Sequence, residues 1–557
     1  MTGDGTAREP HARAVFALFA VLLFIALFWQ LGAPTFWDPD EAHYAQTSRE
    51  LLRTGDWLAP FYNEQPFFDK PILFHWLQGL AMVAFGETTF AARLVPALAA
   101  LALVGVTAWL GVALLSADVA LVAALLLAAS PGLFGLARYA ILDTTFTALM
   151  FGGAALIVVA ALRYRPHLQW YGYVLIALAV LTKGPLALVL CGVTLCIALL
   201  WSPEVRGRLL ELRLAAGVGV VIAIAGPWFV YMWLRFGDAF VNGYILDENL
   251  SLYATNRFGA PPSAWFYVRV IAASLIPWTA LIAGRLYDDV RATLRRDGSI
   301  DAVDVVLWSW TIGVVGFFTL SRFKLDHYVF PAAPTLCLIG GRAWLAARTR
   351  PLDPRNAGAR IGAWLIGPLT VVLAGTAAYL LVARLKLPLG ALVIPLALGT
   401  AGALTTLQVS RRSRPMPRTP WVILIAIAVT YAGLLFWVIP ALEERKVVPG
   451  MARWVATQAA PADRIAAYRL NRWNNDFRFY VDRHVSMFDT PAEARAFFSG
   501  AGPFYCAMLE PAYEELVAQG MRLKVAYEVE GMWVTSGRVL WRLQPPLARF
   551  VVVTGAP

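Results

Sequence analysis

Between residues 14 and 440 the chain is a succession of long apolar runs separated by short polar connectors, a pattern that suits a bilayer and not a water-soluble core. Runs able to cross ~30 Å of hydrocarbon lie near 14–32, 90–115, 117–136, 141–162, 168–182, 184–201, 214–234, 264–286, 303–320, 327–346, 361–382, 389–408 and 419–440. The pattern predicts an α-helical polytopic membrane protein with about thirteen transmembrane helices. After Pro440 the period changes. Short apolar strands (AAYRL at 466–470, FYCAML at 504–509, VLWRL at 539–543) alternate with helical stretches such as PAEARAFF and PAYEELVAQG. Residues 1–440 therefore read as the transmembrane domain, and 441–557 as a small soluble α/β domain.

Charge sets the orientation. Starting with the N-terminus inside, alternate connectors become cytoplasmic, and these are the Arg-rich ones at 163–167, 204–213, 285–296, 348–360 and 411–418. Loops 33–89, 235–263 and 321–326 then face outward, as does the C-terminal domain. The apolar run after Arg8 and Arg13 ends without a small-residue cleavage site and reads as an uncleaved first span.

Composition narrows the class further. The chain is 59% hydrophobic and 15% charged, with a net charge of +11 supplied mostly by Arg. That balance suits contact with anionic lipid headgroups and leaves no need for nucleic acid. Cys191, Cys196 and Cys337 fall inside apolar runs and, with Cys506, form neither a disulfide framework nor a metal spacing.

The ionisable residues beside the outward membrane face are the candidates for chemistry. In FWDPDEAHYAQ, Asp38 reads as an N-cap, Pro39 as the first helical residue and Glu41 as the capping-box partner, opening a helix that closes near Gly55. Asp40 is not needed for the cap; it shares a helix face with His43, Tyr44 and Thr47. In NEQPFFDKPILFHWL, Pro66 and Pro71 bracket Asp69 and Lys70, and an apolar interfacial helix follows. A lysine there suits a lipid phosphate, although a snorkelling lysine paired with Asp69 would look the same. Arg138 and Asp143 in ARYAILD, Lys183 in LTKGP, and Arg322, Lys324, Asp326, His327 and Tyr328 in SRFKLDHYVFPAAP complete a cavity of cations and acids. Cations would hold a phosphate; carboxylates would handle a proton, a metal or a cationic substrate group.

FWDPDEAHYAQTSRELLRTGDWLAPFYNEQPFFDKPILFHWL, ARYAILD, LTKGP and SRFKLDHYVFPAAP, in this order and spacing, resemble the bacterial aminoarabinose (lipid A) transferase branch of the membrane glycosyltransferases. More broadly the chain is similar to the protein mannosyltransferase superfamily with the GT-C fold. The resemblance implies a polyprenyl-phosphate-linked sugar donor, an inverting transfer, and an active site on the periplasmic face of a bacterial inner membrane. It implies catalytic roles for Asp40 and Asp143 and donor-phosphate contacts from Lys70 and Arg257, to which Lys324 adds a third cation. His43, Tyr328 and Glu41 are expected at the substrate, and Asp69 at a divalent metal if one is used. Asp69 replaces the family's more usual glutamate, and His43 stands where an arginine is frequent. The reaction class stands, while the sugar and the acceptor (lipid A, a protein hydroxyl or another envelope glycan) stay open. The expected partners are the lipid-linked donor, a lipid or glycan acceptor and membrane lipids, acting on a monomer. Two rivals are a protein O-mannosyltransferase-like enzyme and a carrier or flippase that binds the same lipid without chemistry. No inverted repeat of the kind many carriers show is visible.

Overall fold

A computed structural model describes residues 21–37, 40–255, 262–295, 300–350, 353–412, 419–470, 475–533 and 547–555. Among the described residues, eight helices are long and apolar enough to cross a membrane, or nine if the pair Ala117–Ala128 and Pro131–Ala137, bent by 60°, counts as one span. The chain is thus a multi-pass membrane protein, and among the described residues fewer helices than the expected thirteen have full-span length. The difference has local causes. The apolar run at 264–286 is two helices, Phe266–Ser274 and Thr279–Arg295, interrupted before Pro277, which has no N–H to continue the ladder. The runs at 168–182 and 184–201 form two 16-residue helices, Leu168–Lys183 and Leu186–Trp201, separated at Gly184 and Pro185. At about 1.5 Å per residue each falls short of the full hydrocarbon thickness. Only residues 21–28 of the first expected span are described as helix.

One packing contact sets up the site. Helices Asp143–Leu162 and Leu168–Lys183 run antiparallel, and Gly153 lies directly against Gly172. A Cβ on Gly153 would meet the Gly172 carbonyl oxygen at 2.7 Å, and the reverse contact is equally close. Two glycines facing each other let the backbones touch, as is common between membrane helices. The close approach brings the first residue of one helix, Asp143, beside the last residue of the other, Lys183.

At the same end of the bundle, loop 33–89 forms its own small structure: helix Asp40–Thr54, a hairpin of β1 (Phe61–Tyr62) and β2 (Gln65–Pro66), and helix Leu73–Phe85. The last spanning segment runs to Glu443, and a five-stranded sheet follows. Its strands are β3 (Arg464–Tyr468), β4 (Ser486–Phe488), β5 (Phe504–Leu509), β6 (Leu523–Met532) and β7 (Leu547–Gly555), in the order β4-β3-β5-β7-β6. β3 is parallel to β4 and β5, whereas β7 is antiparallel to β5 and β6. Separate apolar clusters cover its two faces, one around Ala467 and Val552 and the other around Ala466 and Val553. This is the α/β domain expected from the sequence; the strand expected at 539–543 lies outside the described residues.

Candidate functional site

Helix Asp40–Thr54 is anchored by Glu41, which is fully buried. Its carboxylate accepts from Trp37 N at 2.8 Å, from Arg93 Nε at 2.7 Å and Nη2 at 2.8 Å, and from Ala140 N at 2.7 Å. The backward reach to Trp37 fastens the chain entering the helix, one residue before the amide that a capping-box glutamate takes. The expected partner Asp38, with Pro39, lies outside the described residues. Glu41 is therefore corrected from a substrate contact to a fastening: with four donors and no exposed surface, it has no oxygen left for a ligand. Arg138 is also committed, donating to the carbonyls of Ala26 and Leu27 at 3.2 Å and of Gln30 at 3.1 Å, where it caps the end of the first helix.

Above this anchor the structure brings together most of the residues expected at the site. Asp69 and Lys70 form an ion pair, Glu248 stands 3.7 Å from the same ammonium, and the Tyr44 hydroxyl donates to Asp69 at 3.3 Å. Asp143 pairs with Lys183, and His327 Nε2 lies 3.7 Å from the other Asp143 oxygen. The Lys183 ammonium is 4.6 Å from the centre of the Tyr328 ring. Asp40 faces this group: Asp69, Asp143, Lys70 and His327 all act on it electrostatically, yet among the described residues its carboxylate makes no hydrogen bond or ion pair. His43 sits between the rings of Tyr62, at 4.5 Å, and Phe67, at 4.4 Å.

Burial divides these groups by protonation. It raises the Asp40 carboxyl above the ordinary carboxylate range, and the Asp69 and Asp143 charges push the same way. Burial acts on Asp69 too, but Lys70 overrides it and holds that carboxyl well below its usual value. Lys70 in turn is raised despite burial, chiefly by Asp69 and then by Glu248. His43 is pushed down to about 4 by burial, so its ring is neutral at physiological pH. The arrangement thus holds two cation-carboxylate pairs near an unpaired carboxyl. It can hold an anion at Lys70 and accept a proton at Asp40.

Lys324 is not brought to this group. It is buried and donates to the carbonyls of Thr319, at 2.9 Å, and Ser321. It closes the end of helix Ala302–Leu320, which corrects its assignment as a phosphate ligand. Arg257 lies outside the described residues. For Asp69 as a metal ligand, no group of three or more His, Cys, Asp or Glu side chains able to hold a metal occurs among the described residues. Its partner is an ammonium, so the donor set does not fit a metal. Conversely, Lys183, His327 and Glu248 had no assigned role. The first two stood in motifs already singled out; only proximity in space could have tied them to Asp143. Glu248, in ILDENLSLY, had no distinguishing signal beyond its place in a long loop.

The profile of the dolichyl-phosphate-mannose-protein mannosyltransferase family matches residues 15–287. An uncharacterized protein of Aquifex aeolicus is 29% identical over 327 residues, covering 58% of this chain and 62% of that one. The undecaprenyl phosphate-alpha-4-amino-4-deoxy-L-arabinose arabinosyl transferase of Erwinia tasmaniensis is 27% identical over 326 residues, 57% of each chain. That of Serratia proteamaculans is 28% identical over 331 residues, 58% of each. The chain thus spans about six tenths of the length of the curated relatives it matches. The crystal structure of ArnT from Cupriavidus metallidurans bound to undecaprenyl phosphate superposes with a TM-score of 0.75 at 21% identity, covering 98% of this chain and 100% of that one. The chain shares the fold of that solved structure and is similar in sequence, over part of its length, to the aminoarabinose transferases its motifs resemble.

Proposed function

We propose that the protein is a membrane glycosyltransferase that takes a sugar from a polyprenyl-phosphate donor and passes it to an envelope lipid or glycan. The observation that carries this reading is the unpaired Asp40 carboxyl facing the Asp69 and Lys70 pair and the Asp143 and Lys183 pair at one end of the bundle. The names of the relatives favour 4-amino-4-deoxy-L-arabinose on undecaprenyl phosphate as the donor and, with the resemblance of the motifs, lipid A as the acceptor. The Arg-rich connectors favour an inner-membrane protein whose site faces the periplasm.

Lys70 binds the donor phosphate, displacing Glu248, with Arg257 as a second contact. The acceptor oxygen attacks the anomeric carbon from the side opposite the phosphate. The bond from that carbon to the phosphate oxygen breaks, its electron pair stays on the oxygen, and polyprenyl phosphate leaves with inversion. Stabilising this departing charge is the main catalytic contribution. If the acceptor is a hydroxyl, its proton passes to Asp40, which burial makes a stronger base than an exposed aspartate. If the acceptor is already an anionic phosphate, no proton moves and Asp40 orients the donor. Lys183, held by Asp143, and Tyr328 beside it line the sugar, and neutral His43 borders it from the other side.

The mannosyltransferase profile favours a second reading, in which the acceptor is a protein hydroxyl. Purified protein incubated with radiolabelled polyprenyl-phosphate sugars, together with either a membrane lipid extract or Ser/Thr peptides, separates the two. Label in lipid supports the first, label in peptide the second. Binding of the donor without any transfer would replace both with a carrier.

A further inference from the structure

The α/β domain grips the loop that carries the candidate site, and one guanidinium of that domain reaches furthest in. Arg478, on helix Asn475–Val481, is buried; its Nε donates to Asn63 Oδ1 at 2.9 Å and its Nη2 to Glu50 Oε1 at 3.4 Å. Asn63 and Glu64 form the turn between β1 and β2, with φ of 51° and 67°. Positive φ is what tight hairpin turns need, but it is strained for residues other than glycine, and more so for Glu than for Asn. The turn is held by Glu50, whose carboxylate accepts from Asn63 N at 2.8 Å and Glu64 N at 2.9 Å, and also from Gln46 Nε2 at 2.7 Å. Asn63 Nδ2 adds a bond to the Val485 carbonyl at 3.1 Å. On either side of the turn are Tyr62 and Phe67, the two rings that enclose His43.

We propose that Arg478 is a positioning residue for the candidate site: it neutralises Glu50 and fixes Asn63, so that the strained turn holds Tyr62 and Phe67 against His43. The α/β domain thereby completes one wall of the site without touching substrate. The kinetic part of this inference rests on the transferase reading; the structural coupling does not.

The test compares Arg478→Ala, Arg478→Lys and the double variant Arg478→Ala with Glu64→Gly. The last replaces the strained turn by Asn-Gly, which adopts positive φ unaided. The control is Arg469→Ala, which removes an exposed ion pair with Glu515 (2.5 Å) in the same domain. Two quantities are read: the donor KM, and hydrogen exchange at the amides of residues 61–65 and 67. Arg478→Ala should raise the donor KM by ~10-fold or more, since a small misplacement of a positioning group has effects of that order. It should also accelerate exchange in the hairpin. Arg478→Lys should recover part of both changes, Glu64→Gly most of both, and Arg469→Ala should match wild type. Unchanged exchange and KM in Arg478→Ala, or losses that Glu64→Gly does not restore, would overturn the proposal. If wild type transfers no sugar, the functional reading fails, and exchange alone decides the coupling. If Arg478→Ala cannot be purified folded, Glu50→Gln is read the same way, with the same two outcomes.

Discussion

Replacing Glu41 by alanine tests the reassignment of this residue from substrate contact to fastening. The carboxylate has no exposed surface, and Arg93, with which it forms two hydrogen bonds, is only 2% exposed. Removing it leaves a buried guanidinium without its counter-charge, a change that destabilises by about 3–5 kcal/mol. It also orphans the Trp37 and Ala140 amides, at about 1–3 kcal/mol for each that water does not reach. Arg93 keeps bonds to the carbonyls of Leu31, Pro34 and Thr35 at 3.1, 2.7 and 2.9 Å, which offsets part of the loss. A net destabilisation of about 3–5 kcal/mol is expected, with Glu41→Gln intermediate because an amide offers one acceptor where the site presents four donors. The assay is equilibrium unfolding in mixed detergent micelles, followed by tryptophan fluorescence, with donor binding measured on the fraction still folded. The folded fraction should bind donor like wild type. A stable Glu41→Ala protein that has lost donor affinity would refute the reasoning and return Glu41 to the substrate.

Lys70→Ala should raise the donor KM by ~10-fold or more, as loss of a charge-assisted phosphate contact does; an unchanged affinity for a polyprenyl-phosphate sugar removes it from the donor site. Gly153→Val should force apart the two helices that touch at Gly172, destabilising by about 1–3 kcal/mol and lowering turnover as Asp143 and Lys183 separate; unaltered turnover would mean that their pairing does not depend on this contact. If the acceptor is a hydroxyl, Asp40 must be ionised to accept its proton, so kcat should rise with pH through a value above the ordinary aspartate range and fall away below it. A rate flat from pH 4 to 8 would indicate a phosphate acceptor, or no base at all. His43, already neutral above about 4, should contribute no step between pH 5 and 8.

Much of this was legible in the sequence because a bilayer imposes strong rules. Apolar runs marked the helices, and residues that are costly near hydrocarbon (Asp40, Asp69, Lys70, Asp143) stood out against them. The errors came where length alone decided. The helices on either side of Gly184 and Pro185 are 16 residues each, shorter than the full spans that hydropathy counted, and the run at 264–286 is interrupted before Pro277. The site's pairings were not legible, since Asp143 and Lys183 are 40 positions apart and meet only because two glycines let their helices touch. Glu41 and Lys324 were misassigned for a common reason: a charged residue beside a membrane suggests a ligand, and nothing local reveals that Arg93 or a helix end has already claimed it. The role of the α/β domain was equally hidden, because Arg478 and Asn63 lie 415 positions apart.

The central claim is that the unpaired Asp40 carboxyl serves sugar transfer. Its most direct test is to follow label from a polyprenyl-phosphate sugar to a hydroxyl acceptor with purified wild type and with Asp40→Asn, at matched folding and donor occupancy. Loss of the base should slow transfer by ~10²- to 10⁴-fold while donor binding persists. Equal rates in the two proteins would contradict the account and make the acid cluster a structural feature of the loop.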